Sequence, residues 1–170
     1  MNMEINPSEY KILIVDDVMS NVLLLKVLLT NEKFAIATAN NGRQALEQVD
    51  KEHPDLVLLD VMMPDLSGFE VAQRLKSNPD TADIPIIFLT ALNSTTDIVK
   101  GFQAGASDFI SKPFNKEELI IRVTHQVSLV AAKRIILNKT EELQRIIAGR
   151  DKLYLSLIHI SEPTRLRRIS

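Results

Sequence analysis

Four sites separated by tens of residues carry side chains that could act together on a phosphoryl group. They are the acidic pair Asp16-Asp17, Asp60, Thr90 and Lys112. Each lies at the C-terminal end of a short apolar run. In an open parallel α/β sheet the carboxyl ends of the strands meet in one crevice, which is where such folds bind ligands. Carboxylates, a hydroxyl and an ammonium group together suit Mg²⁺ and a phosphoryl group.

The chemistry that this set predicts is phosphoryl transfer to an aspartate. A carboxylate is a weak nucleophile toward phosphorus, so the site must hold it in line and neutralise charge on the phosphoryl group. Mg²⁺ held by carboxylates would supply most of that neutralisation. Lys112 could pair with Asp60 before the reaction and with the phosphoryl group afterwards, while the Thr90 hydroxyl could donate to the same oxygens.

Size and composition are those of an ordinary globular protein. The chain has 170 residues, of which 45% are hydrophobic and 25% charged, and its formal net charge is -2. This length fits one domain with some residues left over. The charge gives no basic footprint for nucleic acid. Because the chain has no cysteine, disulfides, thiolate catalysis and cysteine metal sites are excluded.

The N-terminal residues and the hydropathy pattern predict a soluble, cytoplasmic protein. Residues 1–10 include Glu4 and Glu9 and contain no apolar signal segment. The sequence also has no run of about 18 apolar residues that could form a membrane helix.

Short apolar runs alternate with longer amphipathic segments as far as residue 127. The runs predict strands at residues 11–15, 34–39, 55–59, 84–89 and 106–110. The segments between them predict helices at about residues 19–31, 41–52, 67–77 and 94–103. Runs that are apolar throughout are typical of parallel strands buried on both faces. The alternation therefore indicates a doubly wound α/β fold with five strands and five helices.

The fifth helix is predicted to begin at Asn115 and to have no stop until the 150s. With Leu129 at heptad position a, six of the eight a and d positions up to Leu153 are apolar, the exceptions being Lys139 and Arg150. Such a seam predicts a parallel coiled-coil dimer through this helix. The alternative is a helix that folds back onto its own domain.

Residues 155–170 do not continue the pattern of the preceding helix. They resemble the translation of a transposon-type sequencing adapter, and we interpret them as a non-native tail. The alternative is a genuine, frayed C-terminal segment. The predicted organisation is an N-terminal extension at 1–9, one domain at 10–127, a helical linker at 128–154 and this tail.

The motifs at the four sites resemble those of receiver domains of two-component response regulators. The acidic pair is similar to the family's metal pair, and Asp60, in Leu-Leu-Asp-Val-Met-Met-Pro, is similar to its phosphoacceptor. Thr90 is followed by a small residue, as in the family, and Lys112-Pro113 is similar to its lysine with a cis peptide bond. Three further residues fall where the family has them: Pro64, Gly68 and Gly105.

The resemblance implies a flavodoxin-like fold, with a five-stranded parallel sheet in the order 2-1-3-4-5 and an extended C-terminal helix. It implies that Asp60 accepts a phosphoryl group from a phosphohistidine on a histidine kinase or phosphotransfer protein. The implied ligands of Mg²⁺ are the side chains of Asp16, Asp17 and Asp60 and the backbone carbonyl of Met62. The implied conformational switch consists of Thr90 and Phe109.

Other residues near these motifs have simpler interpretations. An aromatic residue beside a core strand, such as Phe109, is more often simply packed. Asp65 is predicted to be a turn or cap residue. His53 and His125 have no partners at ligand spacing, so neither is assigned to a metal.

Two other classes of function stay open on the sequence. A hydrolase of the aspartyl-phosphate kind would have a second aspartate two residues after the nucleophile, where Met62 stands. A degenerate receiver that serves only for dimerisation would be expected to lack a site residue, and none is missing. By resemblance Met62 and Leu92 flank the site, and their bulk predicts slow loss of the phosphoryl group.

No pattern of an output domain follows residue 127. The segment from Arg150 to Tyr154 resembles the lead-in to the phosphoacceptor helix of sensor histidine kinases, which suggests a receiver-first hybrid histidine kinase. His159 is followed by Ile-Ser-Glu-Pro, which departs from the kinase motif. Since the sequence contains no ATP-binding domain, no ATP-dependent kinase activity is expected of it.

Overall fold

A parallel β-sheet forms the centre of the protein. The structure is a computed structural model that describes residues 4–91 and 95–169. For residues 151–169 it describes the backbone, and Lys152 is the one residue there whose side chain is also described. The strands are β1 Lys11–Val15, β2 Ala35–Ala39, β3 Leu56–Asp60, β4 Ile86–Thr90 and β5 Asp108–Ser111. Their order is β2-β1-β3-β4-β5, with all pairs parallel. The predicted fold class and strand order are confirmed.

Helices connect the strands and cover both faces of the sheet. They are α1 Met19–Asn31, α2 Gly42–Glu52, α3 Gly68–Ser77, α4 Thr95–Gln103 and α5 Lys116–Ile169. The predicted bounds of β1 and α1 agree with these, and the predicted bounds of the other strands and of helices α2, α3 and α4 differ from them by at most two residues. Three helices begin where the sequence supplies an N-cap: the side chain of Asn41 accepts from the Gln44 N–H, that of Ser67 from the Glu70 N–H, and that of Asn115 from the Glu118 N–H.

Strands β1, β3 and β4 lie at the centre of the sheet and are almost entirely inaccessible to water. Residues on both of their faces are buried, which explains why their sequences are apolar throughout rather than alternating. Removing this apolar surface from water is the main stabilising contribution to such a core. The rigid sheet fixes the positions of the residues that follow each strand.

The chain separates into two compact units, Met1–Val130 and Ala131–Ser170. In the first unit, α5 buries Leu119, Val123 and Val127, which are spaced by one helical turn. The helix does not end in the 150s as predicted but continues to Ile169. Residues 150–162 contain no glycine or proline to stop it, and it also continues past Pro163, although proline disfavours the interior of a helix. Within the described part of the chain, no helix combines the length and the apolarity needed to cross a membrane.

Candidate phosphoryl-transfer site

The sheet register brings the predicted site residues to one edge. Val15 at the end of β1 is level with Leu59, one residue before the end of β3, and Thr90 at the end of β4 is level with Ser111 at the end of β5. Asp16 and Asp17 follow β1, Asp60 ends β3, and Lys112 follows β5. Residues separated by almost 100 positions in the sequence therefore share one crevice at the carboxyl ends of the strands.

Three carboxylates form the acidic part of this crevice. Ligand oxygens of Asp16, Asp17 and Asp60 all lie within 4.8 Å of one another. Asp16 and Asp60 are buried, being 0% and 3% exposed, whereas Asp17 faces solvent. This all-oxygen donor set, open on the solvent side, fits a hard divalent cation that retains part of its water shell.

Lys112 provides the positive charge of the crevice. Its Nζ lies 3.1 Å from Oδ2 of Asp16 and 3.1 Å from Oδ1 of Asp60. The backbone N–H of Lys112 donates to the carbonyl of Thr90 at 2.9 Å, which ties the residue to the end of the neighbouring strand. The Lys112-Pro113 peptide bond is cis, as the resemblance implied.

Burial changes the pKa of Asp60. Loss of solvent raises the pKa of this carboxyl to about 6, although the hydrogen bond from Lys112 opposes the rise and the charge of Asp16 adds to it. Burial also disfavours the charged form of Lys112, but its hydrogen bonds to Asp60 and Asp16 outweigh this effect, and its pKa lies above its ordinary value. A cation bound among the carboxylates would favour ionised Asp60.

Asp16 is held by two donors that the sequence motifs did not identify. Its Oδ1 accepts from the backbone N–H of Val18 at 2.9 Å, and its Oδ2 accepts from the Asn21 side-chain amide at 3.2 Å. The signal in the sequence was an amide residue in the first turn of the helix that follows an acidic pair. These bonds fix the orientation of a buried carboxylate that also contacts Lys112.

The loop that follows Asp60 begins with a close backbone contact. The N–H of Met62 donates to Oδ1 of Asp60 at 3.3 Å, and the N–H of Gly68 donates to the carbonyl of Val61 at 2.9 Å. A Cβ placed on Gly68 would lie only 2.3 Å from the carbonyl oxygen of Asp60. The side chain of Met62 is exposed. Leu92, the other residue predicted to slow loss of the phosphoryl group, lies outside the described residues.

Phe109 is part of a row of aromatic rings beneath the site. Its ring centroid lies 5.7 Å from that of Phe88 and 4.9 Å from that of Phe102. A Cβ on Gly101 would lie 2.3 Å from the Phe109 ring, so the absence of a side chain there makes room for the ring. Thr90, Phe109 and Ile98 of α4 line the same small gap. The hydroxyl residue and the aromatic residue therefore lie close together.

The remaining predicted residues lie outside the acidic cluster. Asp65 is a cap residue, as predicted, because its carboxylate accepts from the backbone N–H of Gly42 at the start of α2. His53 ends α2 in a left-handed conformation, with φ of 47°. His125 lies on α5, in a surface groove that also contains Asp108 and Arg122.

The parallel sheet in the order β2-β1-β3-β4-β5 thus carries three carboxylates and a lysine together at the carboxyl ends of its strands. The family described as the response regulator receiver domain matches residues 12–124. The chain belongs to this family. Receiver domains bind Mg²⁺ at an acidic site and interact with histidine kinases or phosphotransfer proteins.

The chain is similar to the response regulator PleD of Caulobacter vibrioides, with 42% identity over 140 residues, or 82% of the chain and 30% of PleD. It therefore spans less than a third of that relative. A solved receiver domain of a signal transduction histidine kinase from Syntrophus aciditrophicus has 35% identity and a TM-score of 0.66, with 70% of this chain and 90% of that one covered.

A second solved structure carries a metal. It is the receiver domain of a sensor histidine kinase from Pseudomonas aeruginosa PAO1, with a magnesium ion coordinated in the active site cleft. Its identity to this chain is 26% and its TM-score is 0.65, over 70% of this chain and 98% of that one.

Proposed function

We propose that Asp60 is the phosphoacceptor of a two-component phosphorelay and takes its phosphoryl group from a phosphohistidine donor. The observation that carries the proposal is the contact of Asp60 with Lys112 at 3.1 Å beside the carboxylates of Asp16 and Asp17. The buried Asp60 nucleophile, the Lys112 ammonium and further carboxylate oxygens lie together at the carboxyl ends of the strands. A phosphoryl group can be held there in line with the attacking oxygen.

Asp16, Asp17, Asp60 and the backbone carbonyl of Met62 would hold Mg²⁺. When bound, the ion neutralises negative charge on the transferring phosphoryl group. The all-oxygen donor set supports this assignment, as does the magnesium in the Pseudomonas receiver.

In the transfer step, an Asp60 carboxylate oxygen forms a bond to phosphorus while the bond from phosphorus to the donor's imidazole nitrogen breaks. The electron pair stays on that nitrogen, which takes up a proton. Lys112 exchanges its contact with Asp60 for one with a phosphoryl oxygen, and it stabilises charge there. The Thr90 hydroxyl donates to another phosphoryl oxygen.

The product carries a mixed anhydride on one aspartate, and this provides the test. We expect borohydride reduction of the phosphorylated chain, followed by peptide mass mapping, to yield homoserine at position 60 only. Homoserine at another aspartate would contradict the assignment of Asp60. Continuous turnover of a phosphomonoester would instead favour the hydrolase alternative.

Thr90 and Phe109 would form the switch that reads this reaction. Movement of the Thr90 hydroxyl toward the phosphoryl group would open space beside Phe109, because both residues line the same gap. The Phe109 ring would then follow and change its contact with Phe102 of α4. This is a two-state shift biased by local charge.

The exposed apolar face of α1 would contact the phosphohistidine donor. It consists of Met19, Leu23, Leu24 and Val27, which are 46–57% exposed, and it begins two residues after Asp17. An apolar surface this close to the site indicates a protein contact. The apolar residues of this helix are not confined to one face, and those that are buried are Val22, Leu25 and Leu29.

Leu23→Glu is expected to slow phosphoryl transfer from a phosphohistidine protein about 10-fold or more, because a charge in an apolar contact is costly. The reaction with acetyl phosphate, a small donor, should keep its rate. Ile121→Glu, which alters an exposed apolar residue on α5, serves as the control. Equal slowing with both donors would show damage to the site itself, and unchanged transfer from the protein would remove α1 from the contact.

The helical linker at residues 128–154 would join two copies of the chain. Leu129, Ile136, Leu143 and Ile146 are exposed apolar residues at a and d positions. Ile136→Lys should give a monomer by light scattering, whereas Leu137→Lys, one residue away and off the seam, should leave the dimer intact. A monomer before any substitution would contradict this proposal.

The organisation of the whole protein is also a proposal. We assign residues 1–9 to an N-terminal extension and 10–127 to the receiver, followed by the linker. The setting is the cytoplasm, where phosphohistidine donors act. A hybrid histidine kinase is the favoured parent because of the resemblance at Arg150 to Tyr154. Sequencing the source gene across codon 155 tests whether residues 155–170 are native.

A further inference from the structure

The loop after Asp60 is fixed to the N-terminus of α2 from outside that helix. The carboxylate of Asp65 accepts from the backbone N–H of Gly42 at 3.3 Å, across 23 residues of sequence. The helix also has its own cap, since Oδ1 of Asn41 accepts from the Gln44 N–H at 2.8 Å. Because a helix start leaves several N–H groups without helical partners, one helix can use both caps.

Close packing reinforces this contact. A Cβ on Gly42 would lie 2.6 Å from Cβ of Leu66 and 3.1 Å from its carbonyl oxygen. The loop backbone therefore lies directly against α2, and only glycine leaves enough space. Hydrogen bonds from the backbone N–H of Leu66, and then from that of Gly42, hold the pKa of the Asp65 carboxyl below its ordinary value, so it stays an ionised acceptor.

The other end of the loop is fixed at β3. Gly68 N–H donates to the carbonyl of Val61, and Met62 N–H donates to the Asp60 carboxylate. Met62 thus lies between an anchor at the strand and an anchor on α2. Its side chain is 68% exposed and contributes little to packing. The position of its carbonyl therefore depends on the two anchors.

We propose that Asp65 is a positioning residue: its contact with the N-terminus of α2 fixes the loop so that the Met62 carbonyl faces the divalent-cation site. This inference rests on the proposed function, in which that carbonyl is a ligand together with Asp16, Asp17 and Asp60. A carboxylate outside the acidic cluster then sets the affinity of the cluster for Mg²⁺ through the backbone.

The test compares two caps of the same helix in the full chain. Asp65→Ala removes the external cap and Asn41→Ala removes the internal one, so both should lower Tm by a few degrees in the absence of metal. Titration with Mg²⁺ by calorimetry should show about 10-fold weaker binding for Asp65→Ala only. Asp65→Asn keeps an acceptor oxygen and should restore most of the affinity.

The outcomes separate this inference from the proposed function. If the unaltered chain binds Mg²⁺ and Asp65→Ala binds it equally well, Asp65 has no positioning role and the proposed site stands. Equal weakening by Asn41→Ala and Asp65→Ala would also overturn the inference, because general destabilisation would explain both. If the unaltered chain does not bind Mg²⁺, the metal site itself is wrong and the inference fails with it.

Discussion

Gly68→Ala is expected to lower the free energy of unfolding by about 3 kcal/mol, the upper end of the range for overpacking a tight site. The added Cβ would lie 2.3 Å from the carbonyl oxygen of Asp60 and 2.9 Å from Cα of Val61. Both are backbone atoms, so no side chain can rotate away to relieve the clash. The strand end that carries Asp60 must shift instead. Urea unfolding followed by circular dichroism measures the loss.

Gly149→Ala is the matched control. A Cβ there meets nothing within 4 Å, and alanine is the better helix former by about 1 kcal/mol. Helical signal should therefore be kept or increased on heating. If Gly68→Ala were as stable as the unaltered chain, the tight contact between the loop and Asp60 would not exist in solution.

Lys112→Met should reduce the rate of Asp60 phosphorylation by about 100-fold, as expected for removal of a single charge-stabilising donor. The ammonium lies 3.1 Å from both Asp16 and Asp60. Without it, burial and the charge of Asp16 would raise the pKa of Asp60 further, leaving less ionised nucleophile. Charge on the incoming phosphoryl group would also lose its lysine partner.

Lys11→Met removes another lysine–carboxylate contact, that of Lys11 with Glu52 at 2.6 Å. This pair is partly exposed and lies at the opposite end of β1, so its loss should leave the rate unchanged. Initial rates of mass gain with acetyl phosphate and Mg²⁺ compare the two variants. A Lys112→Met protein as fast as the unaltered chain would show that the ammonium does not act in the reaction.

Most of the fold could be predicted from the sequence because the central strands β1, β3 and β4 are almost entirely apolar and helices α2, α3 and α4 are amphipathic. The residue types at the strand ends, such as Asp60 and Lys112, also predicted that carboxylates and a lysine ammonium would lie together in one crevice. That prediction depends only on parallel strands ending at the same edge. It therefore does not require side-chain packing to be known.

Contacts that depend on packing could not be predicted in this way. The amide of Asn21 reaches Asp16 across the turn between β1 and α1, and the partner of Asp65 lies 23 residues away on another element. The room that Gly101 leaves for the Phe109 ring depends on the distance between α4 and β5. The end of α5 was misjudged because a change of sequence pattern does not by itself stop a helix.

The central claim is that Asp60 accepts the phosphoryl group, and intact mass after incubation with acetyl phosphate and Mg²⁺ tests it most directly. The unaltered chain should gain one phosphoryl group, and Asp60→Asn should gain none. Asp80→Asn, which alters an exposed aspartate away from the site, should gain one as well. A phosphoryl group on Asp60→Asn, or none on the unaltered chain, would contradict the claim, and the second result would favour a receiver that serves only for dimerisation.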